Sequence, residues 1–480
     1  MPGANIRKNE YEYVNNYEKW FLPLLLLIIS FRIVITCIRP YQIDMAGYMA
    51  WSSHLAQYGP RNFYISGFHV VYAPFFLYFL WFTGELCGAL SLPPAMQVYM
   101  IKLWSVLFEF LGAYLIILLS KKYKKNNIGM FLALTYVANP GIFMNSSIWG
   151  QFDSIPATML IGVLTLFEYK KPNLAALLFL VAVLTKPQSG LLLPVILYLY
   201  FRDFRFDFKS LTRLFSGIFA GVVVYLSIVV PFYVPTKLSG RLPAFIDYFY
   251  WLFDLYSTSI KDYPFASANA FNFWFLAGGQ IQNDTMPFLG MSYLAWGNIL
   301  LILALAYAFT CLFKGKATLY SIAYFSYLVL FSAFFFMTKM HERYLLPAII
   351  FITLASVFDK RHLLTLCLLS FSVFINHQYL YIISFGEVYW LDRWDGLGLL
   401  YSFITLVTYG ISLYQGYRAF IRPGTSFGKD PTPRTCEAFS FVRMTHDNAS
   451  KQAPCHSDGT KRLKSLQPKN PDKDSSLRSE

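Results

Sequence analysis

Phe334-Phe335-Phe336-Met337-Thr338-Lys339-Met340-His341-Glu342-Arg343-Tyr344-Leu345-Leu346-Pro347 joins two long apolar runs. At the seam, where a membrane helix should end, stand three neighbouring ionisable side chains, His341, Glu342 and Arg343. Charge at that depth is costly to place, so a chain that carries it there generally uses it. The seam therefore predicts a membrane bundle with chemistry at its surface.

The composition agrees. Of 480 residues, 56% are hydrophobic, 19% aromatic and only 14% charged, whereas a soluble domain carries about a quarter charged residues. The apolar residues recur in runs of roughly 15 to 22 between short charged breaks, which predicts an all-α polytopic membrane protein. The net charge of +14 sits mostly in short loops and the C-terminal segment. The bias of basic residues to cytoplasmic loops accounts for it, and no nucleic-acid partner is implied. Cys37, Cys87, Cys311 and Cys367 lie in or beside apolar runs, Cys436 and Cys455 in the tail, and none has metal-ligand spacing. Residues 1–19 are polar and precede an apolar run without a small-residue cleavage site, so they read as a cytosolic N-terminus before a retained first helix.

Candidate spans are 20–38, 98–119, 128–145, 153–169, 173–185, 187–201, 213–232, 291–312, 317–336, 344–358, 363–383 and 397–415, about twelve with a range of 11 to 13. With the N-terminus inside, the basic clusters at Lys121–Lys125, Lys170-Lys171, Arg202 to Arg213, Lys314 and Lys316, and Lys360-Arg361 all fall on the cytoplasmic side. Residues 73–90 are apolar enough to span, but counting them would invert that pattern. They are therefore expected to lie along or dip into the outer leaflet, giving outer-face juxtamembrane helices. This topology places the loops 39–97 and 233–290, the segment 144–153, the break at Lys186, the His341 seam and 384–396 on the non-cytoplasmic side. The domain expected is 20–415, and 416–480, rich in Lys, Ser, Pro, Asp and Asn, reads as a disordered cytosolic tail.

The unusual polar groups collect at that one face. Asp44, shortly after the first span, fits a general base for an alcohol held at the surface and fits equally a helix N-cap. Asn139-Pro140-Gly141 ends a helix, and Trp149-Gly150-Gln151-Phe152-Asp153-Ser154 leads into the next, with Asp153 again open to a capping reading. Lys186-Pro187-Gln188 interrupts a long apolar run and needs water, a headgroup or an anion, or snorkels. Arg343 suits phosphate oxygens with two donors and His341 adds another, while Glu342 serves as a ligand or as the partner of Arg343. Arg39 and Arg393 are further cations beside interfacial aromatics. One carboxylate and several phosphate-capable cations suit a substrate with its phosphate at headgroup level and its hydrocarbon in the bilayer.

At these residues the chain resembles the GT-C superfamily of glycosyltransferases, in particular the mannosyltransferase group that includes GPI mannosyltransferase 2 and its prokaryotic relatives. The pieces, in family order, are Asp44 with Gly47-Tyr48 and Gly59-Pro60-Arg61-Asn62-Phe63-Tyr64, Asn139-Pro140 with Trp149-Gly150-Gln151-Phe152-Asp153-Ser154, Lys186-Pro187-Gln188, and Met340-His341-Glu342-Arg343-Tyr344-Leu345-Leu346-Pro347. They span roughly residues 20–415; the basic tail has no counterpart. The resemblance implies a GT-C fold and inverting transfer of a hexose, mannose above others, from a polyprenyl- or dolichyl-phosphate carrier to a glycolipid or glycan hydroxyl. Asp44 would be the base. His341, Arg343 and Lys186, with Arg39 and Arg393, would hold the phosphate, and Glu342, Asp153, Gln151, Trp149, Gln188 and Tyr344 would support them. It implies no metal and no cofactor beyond the lipid-linked sugar. The outer-loop aromatics Tyr248, Phe249, Tyr250, Trp251, Phe273 and Trp274 would stack on sugars, shield the site, or anchor the bilayer interface. The membrane expected is the endoplasmic reticulum in a eukaryote or the inner membrane in a prokaryote. Asn145, Asn283 and Asn448 fit the glycosylation pattern, and only Asn283 lies in a long outer loop. The rival reading is a lipid or sugar transporter or flippase, which would favour internal symmetry and charge at the midplane.

Overall fold

The computed structural model describes residues 4–422, apart from 62, 69, 71, 238 and 242, with backbone alone over 4–18 and at 244. The segment 423–480, including Cys436, Asn448 and Cys455, lies outside the described residues. The helices are α1 (Ala4–Thr36), α2 (Gln42–Tyr58), α3 (Pro74–Ala89), α4 (Pro94–Lys122), α5 (Asn126–Val137), α6 (Pro140–Phe143), α7 (Ser154–Glu168), α8 (Pro172–Thr185) and α9 (Leu193–Phe201). They continue with α10 (Phe208–Val229), α11 (Ala244–Asp262), α12 (Phe273–Leu276), α13 (Tyr293–Lys314), α14 (Leu319–Phe336), α15 (Ala348–Phe358), α16 (His362–Ile383) and α17 (Gly396–Gly416). A hairpin of β1 (Pro287–Phe288) and β2 (Met291–Ser292) is the one sheet among the described residues.

Eight helical segments of the described chain are long and apolar enough to cross a membrane. The protein is thus an all-α polytopic integral membrane protein. Four further expected spans coincide with shorter apolar helices, Ser154–Glu168, Pro172–Thr185, Pro187–Phe201 and Ala348–Phe358. At about 1.5 Å per residue, an 11- to 15-residue helix covers about 17 to 23 Å of a hydrocarbon core about 30 Å thick. Proline explains two of the shortfalls. Pro187 and Pro194 lack the N–H that an α-helix needs, so Pro187–Leu192 runs as 3₁₀ turns before α9. Pro347 stands at the N-cap of α15, and 341–347 form turns where a span from residue 344 was expected.

Two expected boundaries also move. Helix α1 begins at Ala4, well inside the segment read as the N-terminal extension. At the other end π-helical turns carry α17 on to Ile421, with Phe420 buried, so the helix runs past residue 415.

The centre of the bundle is α7, α14 and α15. In α14, 89% of residues are buried, against 11% for the Phe208–Phe232 segment at the periphery. Residues 73–90 do form a helix, α3, packed on α2. Gly84 permits that contact: a Cβ there would stand 2.2 Å from the Ser52 carbonyl oxygen. Ser52 in turn donates its hydroxyl to the Leu80 carbonyl at 2.7 Å. This pairing holds α2, and with it Asp44, against the bundle.

Candidate active site

Asp44 lies in the first turn of α2, whose N-cap is Tyr41 with no side-chain cap bond, so the capping reading of Asp44 is set aside. Its carboxylate is held instead by the remote Trp-Gly-Gln turn. Trp149 Nε1 donates to Asp44 Oδ2 at 2.7 Å, and Gln151 Nε2 to the same oxygen at 2.5 Å. The Tyr48 hydroxyl donates to Gln151 Oε1 at 3.0 Å, which turns the amide nitrogen toward the acid. Tyr41 stacks on Trp149 with ring centroids 4.0 Å apart, and its N–H bonds the Trp149 carbonyl at 3.0 Å.

The turn that presents these donors is unusual. Asn139 accepts from Gly141 N to start the short α6, and Met144–Trp149 then widens into a π-helix ending at Gly150, with φ +95°. A side chain at Gly150 would be strained by that φ and would meet Met45 Cε at 2.5 Å. Asp153 likewise makes no cap bond. It pairs with Lys186 and accepts from Asn145 Nδ2 at 3.1 Å; Asn145 also meets His377 Nε2 at 3.0 Å. Asn145 is fully buried, so its glycosylation pattern is inaccessible, whereas Asn283 is exposed.

The His341 seam is held by the loop that follows α11. Lys339 N–H bonds the Phe265 carbonyl, and Ala268 N–H the Met340 carbonyl. Asp284, 1% exposed, accepts from the Thr338 hydroxyl at 2.9 Å and stands 3.5 Å from Lys339 Nζ. Arg343 pairs with the buried Glu342, and its ring-side neighbour is Tyr344. His341 packs edge-on to Tyr263, centroids 4.8 Å apart. Burial, reinforced by the Arg343 and Lys186 charges, holds the His341 imidazole well below the ordinary histidine range.

These two distant parts of the chain line one cavity of about 770 Å³, in which Asp44 and Tyr48 share the wall with His341, Arg343, Lys339 and Gln188. No model of a known protein family matches this chain, and no curated protein matches it. The site's geometry therefore stands on its own residues. Tyr344 also lines the cavity, and Trp149 and Gln151 stand behind Asp44.

Other expected groups lie elsewhere. Lys186 is 3% exposed and sits between the Phe152 and Tyr344 rings, 5.1 Å from each. With Asp153 it lines a separate cavity of about 20 Å³, and its charge is already matched by that carboxylate. Arg39 bonds Gln42 and covers the Phe385 ring; Arg393 bonds the Gly278 carbonyl and covers Trp394. Neither lines the cavity. None of the outer-loop aromatics named from the sequence lines this cavity: Phe249 stacks on Tyr225, Trp251 meets Tyr64, and Trp274 is buried against Tyr293. Besides Tyr48, His341 and Tyr344, the rings that line the cavity are Trp51, Phe68, Tyr72, Tyr256 and Tyr263. The sequence assigns no site role to Lys339 or to Tyr48, although Lys339 lies two residues before His341 in the seam and Tyr48 follows Asp44 by one helical turn. Among the described residues no three His, Cys, Asp or Glu side chains come together as a metal site.

Proposed function

We propose that the protein is an inverting glycosyltransferase of the GT-C kind. It would move a hexose, mannose by resemblance, from a polyprenyl- or dolichyl-phosphate carrier to an acceptor hydroxyl at the non-cytoplasmic membrane face. The observation that supports this reading is the single cavity joining a carboxylate braced by two N–H donors to a guanidinium and an imidazole. On this reading Asp44 takes the proton of the acceptor hydroxyl while its oxygen bonds the anomeric carbon. The bond from that carbon to the phosphate oxygen breaks, its electron pair leaves with the phosphate, and the configuration inverts. Arg343, with His341 and Lys339 beside it, meets the charge that grows on the leaving oxygens; fixed donors at developing charge are the larger catalytic lever. Phosphate leaves without a general acid. The apolar share of the cavity wall, including Ile43, Leu191, Ile260 and Leu294, suits the first units of a lipid tail.

The reading carries the topology with it: a twelve-span bundle with the N-terminus inside, and α2, α3 and α11 at the outer surface. The membrane would be the endoplasmic reticulum in a eukaryote or the inner membrane in a prokaryote. The test is to give the purified protein a panel of polyprenyl- and dolichyl-phosphate sugars with a glycolipid acceptor and follow release of free lipid phosphate. Release by the native protein and none by Asp44→Asn is the expected result. Release undiminished in Asp44→Asn removes the base assignment, and lipid movement between leaflets without any release favours a flippase.

A further inference from the structure

Among the ionisable side chains buried in the bundle away from the cavity are Arg32 on α1, and Lys102 and Glu109 on α4, each 1% exposed or less. None was singled out from the sequence, and buried charge among apolar helices calls for a reason. Lys102, Ser105 and Glu109 are spaced three and four apart, so they share one face of α4. Lys102 Nζ donates to the carbonyls of Thr36 at 3.2 Å, Ile38 at 2.6 Å and Ser147 at 3.0 Å. An ammonium has three donors, and all three are used without a carboxylate among the partners. Ser105 donates to the Gln151 carbonyl at 2.8 Å. Glu109 pairs with Arg32 and accepts from the Ser154 hydroxyl at 2.6 Å. Arg32 also donates to Ser147 Oγ at 3.0 Å and Ser146 Oγ at 2.9 Å.

Most of these bonds land on two short segments, the C-terminal end of α1 and the turn 144–154. Carbonyls at a helix C-terminus lack helical partners and carry the negative end of the dipole, so a cation satisfies them best. Those same segments bracket Asp44: it follows Ile38 by a short link, and its oxygen is held by Trp149 and Gln151. There is little slack between them, since a Cβ at Gly150 would lie 3.5 Å from the Lys102 stem as well as against Met45.

We propose that Lys102 is a positioning residue for Asp44. Its ammonium ties the end of α1 to the Ser147 turn and, with Ser105, fixes where the Trp149 and Gln151 donors meet the carboxylate. The inference rests on the reading of Asp44 as the base. Lys102 itself touches no substrate and acts through those two donors.

A double-mutant cycle on the full-length protein tests it, scored as sugar transfer per folded molecule. Lys102→Met keeps the stem and removes the donors. It is expected to lower kcat about 10- to 100-fold with donor KM changed less than about twofold, as for a catalytic group displaced by about 1 Å. Gln151→Ala cuts one of the links through which Lys102 would act. The double variant should therefore retain at least about fivefold more activity than the product of the single losses predicts. Losses that simply multiply overturn the proposal, as that is what a remote structural defect gives. If Lys102→Met yields no folded protein, Ser105→Ala enters the same cycle under the same criterion. Asp44→Asn is measured alongside. Wild-type transfer from it overturns the functional reading and the positioning role together, whereas an inactive Asp44→Asn with multiplying losses overturns the positioning role alone.

Discussion

Arg343 and Glu342 form a buried pair at the cavity wall, so removing the arginine alone would strand a carboxylate with about 4% exposure. Its contribution to donor binding is best read in a Glu342→Gln background. There Arg343→Ala should raise the donor KM about 10- to 100-fold, the value of a charged hydrogen bond of roughly 1.5 to 3 kcal/mol. An unchanged KM would take Arg343 out of the phosphate site. His341 gives a pH signature. Its folded-state proton affinity lies well below the ordinary value, through burial first and the neighbouring cations second. The unfolded chain therefore binds that proton first. The stability His341 contributes is present above the unfolded pKa of about 6.5 and is lost as pH falls below it. Melting of the solubilised protein between about pH 7 and pH 5 should fall more steeply for the native chain than for His341→Gln. Parallel curves would contradict the assignment. At this scale the sequence was informative about which residues are polar in the wrong place, Asp44 and the His341 seam above all. It could not show pairing: Lys186 looked like a free cation because its partner Asp153 is 33 residues away. Lys102 and Glu109 passed unnoticed because single charges inside a long apolar helix leave its span readable.

Element geometry decides where Asp44 points. Helix α2 is seated on α3 through Gly84, where a Cβ would run into the Ser52 carbonyl. Backbone gives way less readily than a side-chain tip, so Gly84→Ala must push the helices apart, at a cost of about 1 to 3 kcal/mol. Because α2 carries Asp44, transfer should fall with the melting temperature; full activity at native stability would show that α2 is not held there. The long apolar runs were legible as helices from hydropathy and length. The breaks were not. The 3₁₀ turns after Pro187 and the π-helix at Met144–Trp149 depend on tertiary hydrogen bonds that no local pattern announces. The segment 73–90 was read as helical from composition, while its partner, α2, was set by one glycine.

The described residues form a bundle in which the ionisable groups of the cavity stand at segment ends, Asp44 just after α1 and the His341 seam between α14 and α15. The proposed topology puts those ends on the non-cytoplasmic side. Asn283, exposed in the loop before β1, reports on it. A cysteine placed by Asn283→Cys, compared with the unsubstituted protein, should react with an impermeant maleimide from the outer side of sealed vesicles only. Reaction from the cytosolic side only would invert the topology. Charge bias in the loops carried this expectation, and it is a statistical preference about insertion rather than a consequence of packing.

The central claim is that Asp44 and the Arg343–His341 pair meet one ligand in one cavity. The most direct measurement is a structure of Asp44→Asn, which should bind without turning over, in lipid nanodiscs with a polyprenyl-phosphate mannose. The account predicts the phosphate within hydrogen-bond reach of Arg343 and His341, and the anomeric carbon facing residue 44 across a space large enough for a hydroxyl. A donor lodged outside this cavity, or with its phosphate beside residue 44 and away from Arg343, would contradict it.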